Sequence, residues 1–139
     1  MAIVHQRVII SGAFESAYRT LDEVLVPRSQ VFVLDPELHA TEALDLLRSS
    51  GHTRAPVAAG RNLDNVTGFV HLRHLLGGGD ALVSTLTSEV PVFPEAARVL
   101  TAMRELQGQR AQLAVVVNEH GGVAGIVTME DLVEELVGE

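Results

Sequence analysis

The sequence predicts an α+β protein made of two β-α-β-β-α repeats in tandem. Three observations carry that prediction. Glycines and apolar residues recur at a single offset of 57 over about 25 residues: Gly51 with Gly108, Val57 with Ala114, Val66 with Val123, Gly68 with Gly125, Val70 with Val127 and Leu75 with Leu132. Short runs rich in valine and alanine alternate with segments whose apolar residues fall at helical spacing. At 139 residues and 47% hydrophobic composition, the chain can bury one sizeable core or two packed halves. A single unit of about fifty residues buries too little to be reliably stable alone, so the repeats are expected to pack as one module around a pseudo-twofold axis.

The elements follow in order. Residues 1–20 read as a lead-in, with SAYRTLDEVLV as a helical stretch; residues 21–78 form the first repeat and 79–139 the second. In each repeat an extended apolar piece, 31–34 or 90–93, leads through a proline to a helix, 41–50 or 95–107. Ala43, Leu44, Leu46 and Leu47 supply the apolar face of the first, and Val99, Leu100, Met103 and Leu106 that of the second. Gly51 and Gly108 suit the position just past each helix end, where a left-handed backbone costs glycine least. Two strands follow, 55–59 and 66–70 around the turn GRNLDN, then 113–117 and 123–127 around NEHGG. Final helices are expected at 71–76 and 128–137, with GGGD (77–80) as the joint and a short helical turn at 81–86.

Composition excludes several function classes. The net charge of −8 opposes broad attraction to nucleic acid or an anionic membrane, and one Tyr, four Phe and no Trp leave little surface for stacking bases. No apolar run approaches the roughly 20 residues that span a bilayer. The first residues, MAIVHQRVIISG, lack the order of a secretory signal. The absence of cysteine removes disulfides, thiolate metal sites and a cysteine nucleophile. No P-loop, GxSxG elbow or HExxH motif occurs, so an enzyme is the weakest reading.

The chemistry concentrates where the copies differ: GIVTMEDL (125–132) against GFVHLRHL (68–75). Thr128-x-x-Asp131 fits two descriptions. One is a capping box, in which the hydroxyl and carboxylate satisfy N–H groups of the first turn. The other is a ligand site, in which a helix N-terminus favours phosphate and a carboxylate one turn on accepts from ribose hydroxyls. The other copy has His71 and His74 in these places, which implies that the fold does not require the cap and favours the ligand. The His71/His74 pair has metal-ligand spacing but no carboxylate at the next turn, so a surface or subunit-contact role is expected. Glu134, Glu135 and Glu139 read as a solvated helix face rather than a cation site.

Gly-apolar-apolar-Thr-x-x-Asp opening the last helix of such a tandem resembles the cystathionine-β-synthase (CBS) domain pair, or Bateman module. VPRSQVFVLD, GHTRAPV, LDNVTGFVHLRHLL and AVVVNEHGGVAGIVTMEDLVEELVGE more narrowly resemble the pair of the HlyC/CorC family of magnesium and cobalt efflux proteins, over about residues 21 to 139. The resemblance implies an adenine-nucleotide site, for ATP or AMP with Mg²⁺ arriving on the phosphates, in which Thr128 meets phosphate and Asp131 ribose. It implies that Thr53, Arg54, Ala55 and Pro56 face the same ligand. This chain has Val26-Pro27-Arg28 where the family usually writes MTPR, which removes a hydroxyl. The pseudo-symmetric second site would use His71, His74 and the segment Arg110, Ala111, Gln112, Leu113; it lacks the threonine, aspartate and proline together, so one working site per chain is expected. The implied function is a regulatory nucleotide-binding module on the cytoplasmic side of a membrane ion transporter, homodimeric through its helices and partnered by the membrane domain of the same protein. The alternative is a structural dimerisation or linker module with a vestigial pocket.

Overall fold

The computed structural model describes residues 18–138. In chain order the elements are α1 (Leu21–Val24), β1 (Val26–Pro27), α2 (Ala40–Ser50), β2 (Arg54–Ala58), β3 (Val66–His71), α3 (Leu72–Leu75), β4 (Val92–Pro94), α4 (Val99–Gln109), β5 (Leu113–Val117), β6 (Val123–Thr128) and α5 (Met129–Val137). They fall into two compact units, one of residues 30–90 and one in which 91–138 is joined by 18–29. The α+β class and the twofold repeat of elements are those read from the sequence. Of the expected helical lead-in, only Leu21–Val24 is helical; its residues before Tyr18 lie outside the described residues.

The unit of 18–29 and 91–138 holds a four-stranded sheet in the order β1-β6-β5-β4. β4 and β5 run parallel, with Phe93 opposite Val116, and the other pairs are antiparallel. Leu21, Val99, Ala102, Leu106, Val127 and Leu132 form its core. The 30–90 unit keeps the β2-β3 hairpin and reduces the flanking strands to single bridges, Leu34 to Val57 and Phe69 to Ser88. Its core is built from Leu34, Ala43, Leu47, Val57, Val70 and Leu75. In each unit a glycine lets backbone approach the hairpin's second strand. A Cβ on Gly68 would lie 2.5 Å from the Ser88 carbonyl oxygen. One on Gly125 would lie 2.9 Å from Leu25 Cδ1 and 3.0 Å from the Val26 carbonyl carbon, with the Val26 oxygen nearer still.

The equivalence of the repeats requires two offsets, not one. β3 and β6 differ by 57, so that Gly68 and Gly125 sit opposite Val57 and Val116. Everything before the inter-strand turn differs by 59: Val57 matches Val116 in this pairing, and the bridge Leu34–Val57 matches the pair Phe93–Val116. Ala43 and Leu47 likewise match Ala102 and Leu106 in their cores. The turn is residues 59–65 in one repeat and 118–122 in the other, two shorter. The expected role of Gly108 is thereby corrected. α4 runs through Gly108 to Gln109, and the left-handed position beyond it is filled by Arg110 at φ 55°, the counterpart of Gly51 at φ 80°. The helix also begins at Val99, not residue 95, because residues 95–97 turn first.

Candidate ligand site at the start of α5

Thr128 ends β6 and caps α5. Its extended backbone (φ −113°, ψ 155°) turns the chain from strand to helix, and its Oγ1 accepts the Asp131 N–H at 3.1 Å. The Met129 N–H donates to the Gln112 carbonyl at 2.9 Å, which ties the helix start to the turn before β5. Glu130, between them, contributes another first-turn N–H at the positive end of the helix dipole. The cap is one-sided. Asp131's backbone takes part, while its half-buried carboxylate has no hydrogen-bond or ion-pair partner among the described residues. The threonine of the sequence motif is therefore engaged by the fold, and the aspartate side chain is available.

Beside this helix start, Val26 pairs with Ile126 and Arg28 Nη1 donates to the Val123 carbonyl at 2.9 Å. The segment that departs from the family pattern thus lies along β6, the strand leading into Thr128. A cavity of about 390 Å³ opens between the end of α4 and α5, where Leu106, Arg110, Gln112, Met129 and Val133 line it.

Thr53, Arg54, Ala55 and Pro56 belong to the 30–90 unit. Thr53 is exposed, and its carbonyl accepts the Leu72 N–H at 2.7 Å. Arg54, half-buried, stands opposite His71, and its guanidinium has no hydrogen bond or salt bridge among the described residues. Ala55 is fully buried in the core, so its methyl is closed to a ligand, and Pro56 is buried with its carbonyl accepting from the Leu34 N–H at 3.0 Å. The equivalent bonds Leu72 N–H to Thr53 and Met129 N–H to Gln112 also correct the counterpart segment. By structure Thr53–Pro56 match Gln112–Val115, two residues beyond Arg110–Leu113.

The inference that the first repeat dispenses with a helix cap is overturned. His71 Nδ1 accepts the Arg73 N–H at 3.0 Å, and His74 Nδ1 accepts the His71 N–H at 3.2 Å, so the two rings make a reciprocal cap for α3. Both histidines serve their own backbone, the reverse of the arrangement at Asp131. Burial foremost, then Arg54, Arg73 and His74, hold the His71 pKa below the usual histidine value. Among the described residues no three His, Asp or Glu side chains converge on a metal position.

Residues 21–78 and 83–138 each match the CBS domain. The chain belongs to the CBS domain family. The pair is 33% identical over 142 residues to a UPF0053 protein of Mycobacterium tuberculosis, covering 96% of this chain and 32% of that protein. It is 32% identical over 138 residues to the magnesium and cobalt efflux protein CorC of Escherichia coli, covering 96% of this chain and 47% of that one. The chain therefore spans from about a third to just under a half of the length of these relatives. Among solved structures, the CBS domain of a bacterial CNNM/CorC family Mg²⁺ transporter in complex with ATP superposes with a TM-score of 0.89 at 28% identity, over 97% of this chain and 99% of that one. A hemolysin-like CBS protein of Oenococcus oeni gives 0.85 at 29%, over 94% and 98%. No helix among the described residues is long and apolar enough to cross a membrane.

Proposed function

We propose that this CBS pair is a regulatory, non-catalytic module that binds an adenine nucleotide and passes the bound state to the membrane domain of a CorC-like magnesium or cobalt transport protein. The observation that carries the reading is the Asp131 carboxylate. It lies at a helix N-terminus, half-buried and without a protein partner among the described residues, next to a threonine that does cap the helix. An unpaired carboxylate in that position suits a donor-rich ligand such as a ribose diol, and the Glu130 N–H and the Thr128 hydroxyl proton suit phosphate. The ATP complex of the CNNM/CorC neighbour supports the same ligand class.

In this reading the Thr128 hydroxyl and the Glu130 N–H hold phosphate and Asp131 holds ribose. Within the 30–90 unit, Thr53 and Arg54 carry the side chains open to a nucleotide, while the Ala55 methyl and the Pro56 carbonyl are engaged by the fold. Mg²⁺, when present, arrives on the phosphates. The module acts on the cytoplasmic side of the membrane and pairs with a second copy through its helices. Val133 and Val137, one turn apart on α5 and 41% and 65% exposed, support such a contact. Calorimetric titration with ATP, ADP and AMP, with and without Mg²⁺, tests the reading, and micromolar binding of at least one nucleotide is expected. No binding of any of the three would leave a structural linker module as the function. Light scattering at tens of micromolar protein tests the dimer; a monomer there would refute it.

A further inference from the structure

The reciprocal histidine cap at α3 has a chemical property that the threonine cap at α5 lacks: its acceptors can be protonated. A backbone N–H points at the Nδ1 of each ring, so each Nδ1 must hold a lone pair and each ring must carry its proton on Nε2. Protonating either ring turns an acceptor into a donor that faces another donor. The charge so created also meets the positive end of a helix. The charged groups facing His71 are all basic: Arg54 from the partner strand β2, and Arg73 and His74 from α3. What the cap holds extends beyond α3, because the first N–H of that helix, from Leu72, secures the Thr53 carbonyl and with it the turn leading from Gly51 into β2.

We propose that His71 and His74 form a pH-sensitive latch, which fixes the start of α3 and the turn at Thr53 when both rings are neutral and releases them when a ring is protonated. Burial and the neighbouring cations lower the His71 pKa, which sets the sign. As pH falls below about 6.5 the unfolded chain takes up the proton before the folded chain does. The latch's contribution to stability is therefore present above that pH and is lost as pH falls below it toward the depressed folded value. The turn that the latch holds carries Thr53 of the nucleotide reading, but the latch is a property of the ligand-free protein and its test needs no nucleotide.

The test compares the parent with the double variant H71T/H74D, which replaces the titratable cap with the pair found at Thr128 and Asp131. In ¹⁵N spectra of the parent at pH 7.5, both rings should be the Nε2–H tautomer with a bare Nδ1, and His71 should titrate below about 6.5. Between pH 7.5 and 5.5 the Tm of the parent should fall about 3–6 °C further than that of the variant, the equivalent of losing one to two caps. Exchange of the His71 and Arg73 amides should quicken correspondingly, by about tenfold after correction for intrinsic rates. Equal pH dependence of parent and variant would overturn the proposal. So would an Nδ1–H tautomer on either ring in the parent, a result that does not depend on the variant folding.

Discussion

Replacing Asp131 by alanine separates the two roles that a carboxylate can have at a helix start. The bond that caps α5 runs from the Asp131 backbone N–H to Thr128 Oγ1, and alanine keeps that N–H. The side chain supports the fold only through its charge near the helix dipole, which is worth about 0.3–1 kcal/mol and translates to a few degrees of Tm at most. Its contribution to a bound ribose is larger. Charge-assisted hydrogen bonds contribute about 1.5–3 kcal/mol each, so losing one weakens Kd about tenfold and losing both about a hundredfold or more. Glu130→Ala is the matched control, because it removes the same charge from the same turn at an exposed position. Isothermal titration with ATP and thermal melting of parent, Asp131→Ala and Glu130→Ala give both quantities. The expected pattern is two variants of similar Tm, of which only Asp131→Ala loses affinity. A folded Asp131→Ala protein that binds ATP as the parent does would refute the site assignment.

Thr128→Val should weaken ATP binding in titration as Asp131→Ala does, but unlike that variant it also removes the cap acceptor, lowering stability in urea unfolding by about 1 kcal/mol. Gly125→Ala drives a methyl into the Val26 backbone, and because backbone cannot rotate aside the β1–β6 pairing must open, costing about 3 kcal/mol or more by the same assay. Arg110→Gly should raise stability by about 1 kcal/mol by relieving a left-handed non-glycine residue, and Gly51→Ala should lower it by a similar amount, both read from urea midpoints.

The sequence revealed the repeat because Gly68 and Gly125 answer a packing demand common to both units, backbone lying against backbone. It concealed the change of offset because β5, and β2 after Arg54, are buried along almost their whole length and read as apolar runs. Over Pro56–Ala58 a slide of two residues only exchanges apolar residues for one another, so an alignment at 57 fits that stretch as the true 59 does; the misfit shows only at buried Ala55, which 57 sets against exposed Gln112. The change of offset is written in the length of the turns, seven residues against five, and Gly108, at 57 from Gly51, masks it. The histidine cap went unread for a different reason. Imidazole is rarely considered as a cap, although an unprotonated Nδ1 accepts an N–H as a hydroxyl does. Asp131 and Thr128 were legible as a pair. Their division of labour was not, since Thr-x-x-Asp is equally the spelling of a two-way cap, and only the folded helix start decides which half forms.

The pairing of Val26 with Ile126 bears on how the chain is made. The two residues are roughly a hundred positions apart, whereas Phe69 finds Ser88 within about twenty. As the chain leaves the ribosome the 30–90 unit can close first, while residues 18–29 have no β6 to join. At typical synthesis rates that wait is about 5–20 s, long compared with the formation of a hairpin. The exposed backbone edge at Val26 is short, and Pro27 within it lacks an N–H, which makes it a poor template for a neighbouring nascent chain during that interval.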